Sequence, residues 1–118
     1  MSRDVIIYLK DIIAYMNRSI QYLSEYEMND FILDNKTCDA ALRCIEVIGE
    51  ATKKIPDELR SNYPDIPWRD MAGMRDKVIH SYFTVDYKMV WLTITEDIPR
   101  MIPKIKKVID DLEKERQS

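Results

Sequence analysis

The segment Arg75-Asp76-Lys77-Val78-Ile79-His80-Ser81-Tyr82 carries the side chains best suited to chemistry. His80 is the only histidine in the chain, so imidazole-dependent proton transfer has one place to occur. That count also excludes His-rich metal sites and paired-histidine catalysis within one protomer. Arg75 lies five residues earlier and Tyr82 two residues later. RNA can be cut without a metal when the adjacent 2′-hydroxyl attacks phosphorus. A group titrating near neutrality then moves the proton, and a fixed cation stabilises charge growing on the phosphoryl oxygens. Imidazole suits the first task and the planar fork of a guanidinium the second. Tyr82 could hold the phosphate or orient the ring, and Ser81 stands between them as support. The plainer reading of a lone histidine at a helix end is a cap on the helix dipole, and spacing alone leaves both open.

Helix geometry constrains the chemical reading. Five residues along a straight helix turn about 500°, which leaves Arg75 and His80 roughly 140° apart. Either the helix ends near His80 and lets the ring swing back, or a second subunit completes the site. A two-fold dimer would bring two Arg75 and two His80 side chains into one cleft. Both conditions together are expected.

The elements that must position this segment are helical. Val5, Ile6, Leu9, Ile12, Ile13, Met16, Ile20 and Leu23 recur at three- and four-residue steps, predicting a first helix from Ser2 or Asp4 to about Glu27, ended by Asn29-Asp30. Tyr8, Tyr15, Tyr22 and Tyr26 line a neighbouring face, read as core margin or subunit contact rather than a base-stacking platform. Asp34 should cap a second helix running to Ile55, before Pro56. Its stripe includes Gly49, a position that would permit close approach of another helix, with Arg43, Glu46 and Glu50 nearby. These charges read as a solvated face, or as a carboxylate lying against the motif. Residues 56–67 form an irregular connection with a short helical turn at 57–62. Pro67 suits the first position of a third helix reaching about Ile79, and residues 80–85 read as its end and an exit loop. Asp86 should cap a fourth helix, with a restart at Asp97 and Pro99 and a charged tail, 113–118, expected to fray. The prediction is one all-α domain over 1–118, an up-and-down four-helix bundle with short additional helices.

Composition sets outer limits. With 118 residues, 46% hydrophobic and 33% charged, the chain is globular and has room for one domain. A net charge of −3 does not announce a nucleic-acid binder, although the local field of a cleft outweighs the total. Cys38 and Cys44 fit neither a redox pair nor a zinc spacing and read as buried thiols in a reducing cytosol. No apolar run approaches the roughly 20 residues of a membrane helix, and no secretory signal is visible. A cytoplasmic protein is expected, with no cofactor and no metal.

A longer pattern surrounds the motif. Asp39 through Ala51 (DAALRCIEVIGEA), then Ile66-Pro67-Trp68, Met74-Arg75 through His80-Ser81-Tyr82, and Val85-Asp86 with Val90-Trp91 resemble the HepT-like HEPN proteins in order. The similarity spans roughly residues 4–110, and Arg43, Glu46, Gly49 and Glu50 belong to it. This resemblance implies a HEPN-like bundle and an RNA-cleaving toxin of a type VII-like toxin–antitoxin system. It implies action as a homodimer, paired with a minimal nucleotidyltransferase antitoxin. Arg75 and His80 would be the catalytic pair, and Tyr82 the residue to which the antitoxin transfers AMP from ATP. A bulky anion planted there would repel RNA phosphates. The chain departs from the pattern at Asp76, where the family often has Asn. A carboxylate there can orient Arg75 or act on His80, and it also opposes RNA. The alternative is an inactive HEPN binding module serving as partner of a nucleotidyltransferase.

Overall fold

The computed structural model describes residues 3–81 and 84–117, with side chains from residue 5 onward. Helix α1 spans Arg3–Leu23 and buries Val5, Ile6, Leu9, Ile12, Met16 and Leu23. It stops earlier than the pattern predicts, and Tyr26 N–H closes a turn onto the Leu23 carbonyl. Where the chain was expected to leave the helix and loop, it forms α2, Met28–Leu33. Local propensity does not demand this piece. Phe31 does, because it is fully buried against the rings of Tyr87 and Trp91 at 6.2 and 5.6 Å. Tertiary packing overrides a weak local preference.

Asp34 caps α3, Asn35–Lys53, by accepting from the Thr37 N–H at 3.1 Å. Its other oxygen accepts from the Tyr26 hydroxyl. Tyr8, Tyr15 and Tyr26 are half-buried against the core, as a core-margin reading requires, while Tyr22 is exposed. Helix α3 ends two residues before Ile55. Arg60, in α4 (Asp57–Asn62), donates to the Thr52 and Ile55 carbonyls at 2.8 and 3.0 Å and supplies partners that the helix end lacks. Gly49 faces the backbone of the next element, but a Cβ built there would stand 3.4 Å from the Ala72 carbonyl. That is ordinary contact, so close approach does not by itself require the glycine.

The expected third helix is split. Gly73 separates α5, Trp68–Ala72, from α6, Met74–Val78, and Pro67 is the cap residue rather than the first helical one. Ile79 is extended (φ −109°, ψ 117°), and the expected exit loop is a small antiparallel hairpin, β1 Ile79–Ser81 with β2 Thr84–Val85. Asp86 caps α7, Tyr87–Leu92, as predicted. No restart follows at Asp97. A π-helical turn, Thr93–Asp97, carries α7 directly into α8, Ile98–Gln117. Pro99 and Pro103 offer no N–H to the ladder, yet α8 continues through both. Helix α8 runs to Gln117, and Lys10 pairs with Glu113 at 3.4 Å.

Helix α1 packs on α3 and α8, α3 on α5 and α6, and α2 bridges α3 and α7. The expected all-α bundle with short extra helices is what the structure shows, the hairpin being its only strand pair among the described residues. Cys38 and Cys44 are buried free thiols, both pushed up in pKa chiefly by burial. No helix among the described residues is long and apolar enough to cross a membrane.

Three carboxyls tie these elements to pH. Asp34 is lowered from 3.8 chiefly by the Tyr26 hydroxyl, Asp86 by the Met89 N–H, and Asp111 by the Tyr63 hydroxyl. A depressed folded-state pKa contributes stability that is present above the unfolded value and lost as pH falls through the folded one. The urea midpoint should therefore drop as pH falls below 3.8. The drop should shrink in Asp34→Asn, which retains a capping acceptor. A midpoint unchanged down to strongly acidic pH would contradict this assignment.

Candidate active site

The hinge between α6 and β1 decides where the motif side chains go. Because the helix ends at Val78, the angular offset of a continuous helix no longer separates Arg75 from His80. Arg75 remains on α6 and His80 stands on the strand, both exposed. Each has its own carboxylate. Arg75 Nε donates to Glu46 Oε2 of α3 at 3.4 Å, and Asp76 Oδ1 lies 4.0 Å from the same guanidinium. His80 Nε2 lies 3.7 Å from Asp86 Oδ2. The cap residue of α7 therefore serves the ring as well as the helix.

Two hydrogen bonds fix Asp86, and its free oxygen faces the ring. Its backbone N–H donates to the Val78 carbonyl at 2.7 Å, its Oδ1 accepts from the Met89 N–H at 3.0 Å, and Oδ2 faces His80. Its pKa is lowered first by the Met89 bond, with His80 a further cause, so the group is a carboxylate at neutral pH.

The remaining expected residues divide. Glu46 does lie against the motif, which settles the alternative in favour of a contact for that residue. Glu50 instead pairs with Lys53 at 3.1 Å on the solvated face, and Arg43 is exposed on α3. Ser81 donates across the hairpin to Thr84 Oγ1 at 3.2 Å and props the strand pair. Tyr82 lies outside the described residues. No contact joins Arg75 to His80 among the described residues, and no cluster of His, Cys, Asp and Glu there has the make-up of a metal site.

Asp86 is the residue that sequence reasoning assigned too little. It was legible as a cap, but its second role depends on the hairpin that returns the chain from His80 to Val85. That hairpin has too few residues to show alternation. A groove of about 750 Å³ lies elsewhere, between α5–α6 and the π turn with α8. Its wall alternates Arg69, Lys77, Arg100 and Lys104 with Asp65, Asp70, Asp76 and Asp97, and it includes neither Arg75 nor His80. Lys77 and Asp97 are already paired across it at 3.3 Å.

Comparison with known proteins decides the family. The family model described as "HepT-like: Ribonuclease HepT-like" matches residues 12–108. The chain belongs to the HepT-like ribonuclease family. Within it, the chain is 46% identical over 111 residues to "Putative RNase MJ0125" of Methanocaldococcus jannaschii, covering 94% of this chain and 96% of that protein. A second protein of that organism, "Putative RNase MJ1216", is also 46% identical over 111 residues, covering 94% and 92%. "Probable ribonuclease HepT" of Thermococcus cleftensis is 45% identical over 101 residues, covering 86% and 92%. No solved structure matches the chain. In this HepT-like chain, Arg75 and His80 flank the hinge between α6 and β1.

Proposed function

We propose that this chain is a metal-independent endoribonuclease, the toxin of a type VII-like toxin–antitoxin pair acting in the cytoplasm. The observation that carries the reading is the pair of exposed groups at the α6–β1 hinge, each with a carboxylate within ion-pair distance: Arg75 with Glu46 and His80 with Asp86. Membership of a family whose relatives are named as RNases supports it. In the proposed reaction the 2′-oxygen attacks the adjacent phosphorus and the 5′-oxygen leaves, giving a 2′,3′-cyclic phosphate and a 5′-hydroxyl. His80 removes or returns the proton, and Arg75 faces the phosphoryl oxygens. Each protomer has one imidazole, whereas the step needs a base at O2′ and an acid at O5′. A homodimer cleft supplies the second imidazole.

Neutralisation follows from the same charge logic. A partner nucleotidyltransferase would transfer AMP from ATP to the Tyr82 hydroxyl, with pyrophosphate leaving. The added anion would then repel RNA. The test combines two measurements on purified protein. In EDTA, RNA should be cut to cyclic-phosphate ends, while a strand lacking the 2′-hydroxyl at the cut position should survive. Incubation with the partner and ATP should place AMP on Tyr82 and stop cleavage. No cleavage of RNA removes the nuclease reading, and AMP on Tyr87 instead misplaces the switch.

One observation favours a second reading, an inactive binding module for the nucleotidyltransferase. Glu46 and Asp76 both face the Arg75 guanidinium and offset the charge that RNA would need. If that reading holds, Asp76→Asn remains as inactive as the wild type.

A further inference from the structure

The two oxygens of Asp86 are divided between two tasks. Oδ1 accepts from the Met89 N–H at 3.0 Å and is committed to the start of α7. Oδ2 is left facing His80 Nε2 at 3.7 Å, within ion-pair range and just beyond hydrogen-bond length. Catalytic hydrogen bonds of this kind are often long in the free enzyme and tighten when substrate binds. An ionised carboxylate only accepts, so closing that gap to a hydrogen bond requires a proton on the nitrogen it faces. We infer that Asp86 is a positioning residue that holds neutral His80 as the Nε2–H tautomer, leaving Nδ1 as the nitrogen that exchanges protons with RNA. The inference rests on the ribonuclease reading and deepens it by choosing between the two ring nitrogens.

The cap makes the residue unusually testable. In Asp86→Asn the amide oxygen is retained by Met89 N–H, since Asn caps helices about as well as Asp. The amide NH₂ then faces Nε2 and donates to it, which inverts the preference to Nδ1–H. Because the chain has one histidine, its ring nitrogens give a single, unambiguous set of proton–nitrogen correlations in NMR. The wild type, observed at a pH where the ring is neutral, should be Nε2–H and Asp86→Asn should be Nδ1–H. The thermal midpoint should stay close to wild type, because the cap survives. RNA cleavage should fall about 10- to 100-fold, less than where such a carboxylate is buried, because both side chains here are partly solvated. Asp86→Ser, which keeps a capping oxygen without a group to reach the ring, should give mixed tautomers and carries the test if the Asn variant does not fold. A wild-type ring found as Nδ1–H, or a tautomer indifferent to both substitutions, overturns the role of Asp86 while leaving cleavage by His80 standing. A wild type that cuts no RNA overturns the ribonuclease reading and, with it, the assignment of Nδ1 to the reaction.

Discussion

Arg75→Ala should lower the rate of RNA cleavage about 10²- to 10³-fold, with little change in the folding midpoint. The magnitude is that of removing one preorganised donor aimed at developing charge. Stability should hold because the Arg75–Glu46 pair is solvent-exposed, its side chains 49% and 35% accessible, and exposed pairs contribute about 0–1 kcal/mol. Arg75→Lys separates charge from shape. A lysine restores the cation but not the planar fork, so it should recover part of the lost rate and remain below wild type. Glu46 sharpens the reading further. If it orients the guanidinium, Glu46→Gln should slow cleavage modestly, whereas if it merely neutralises Arg75 the same change should speed it. Single-turnover rates with RNA in excess EDTA distinguish these outcomes. An Arg75→Ala variant cutting at the wild-type rate would place the phosphoryl contact elsewhere.

Phe31→Ala should cost about 3–5 kcal/mol, a large part of the roughly 5–15 kcal/mol that holds such a domain together. Phe31 is fully buried and makes an edge-to-face contact with Tyr87 and a tilted contact with Trp91. Truncation would leave a cavity beneath α7, the helix whose first turn is capped by Asp86. The consequence is more than a lower melting temperature. The cap, and with it the carboxylate facing His80, loses the support of the helix it belongs to. Urea denaturation should show the midpoint falling well below wild type, and cleavage should fall in protein that is still folded. Phe31→Leu, which retains most of the volume, should cost much less. Equal midpoints for Phe31→Ala and wild type would mean that α2 is not what anchors α7.

Much of this was legible in the sequence, for identifiable reasons. The stripes of α1, α3 and α8 are long and regular, so periodicity locates them, and Asp34 caps α3. Asp34 and Asp86 declared themselves as caps because a short carboxylate before an apolar run has few other uses. The parts that sequence did not show are those fixed by distant contacts. Helix α2 exists because Phe31 meets aromatic rings more than fifty residues away. The Gly73 break and the hairpin are too short for any period to register. The π turn reads in sequence as a break because prolines follow it, although the helix continues through.

The same division applies to the site. Arg75 and His80 stood out by type, and the helix-end condition that their spacing imposed is met at Val78. Glu46 was visible as a candidate partner, but its distinction from Glu50 is one helical turn that only packing resolves: Glu46 reaches Arg75 and Glu50 turns to Lys53. Asp76, the departure from the family pattern, lies 4.0 Å from Arg75 rather than against His80. The carboxylate at His80 is Asp86.

On the proposed mechanism, the single imidazole of this chain moves the proton when RNA is cut. The most direct measurement is the single-turnover cleavage rate, in EDTA, of wild type against His80→Ala, both first shown to be folded and in the same oligomeric state. His80→Ala should cut about 10²- to 10⁴-fold more slowly, the contribution of a positioned acid–base group. His80→Ala protein that cuts RNA as fast as wild type would contradict that mechanism.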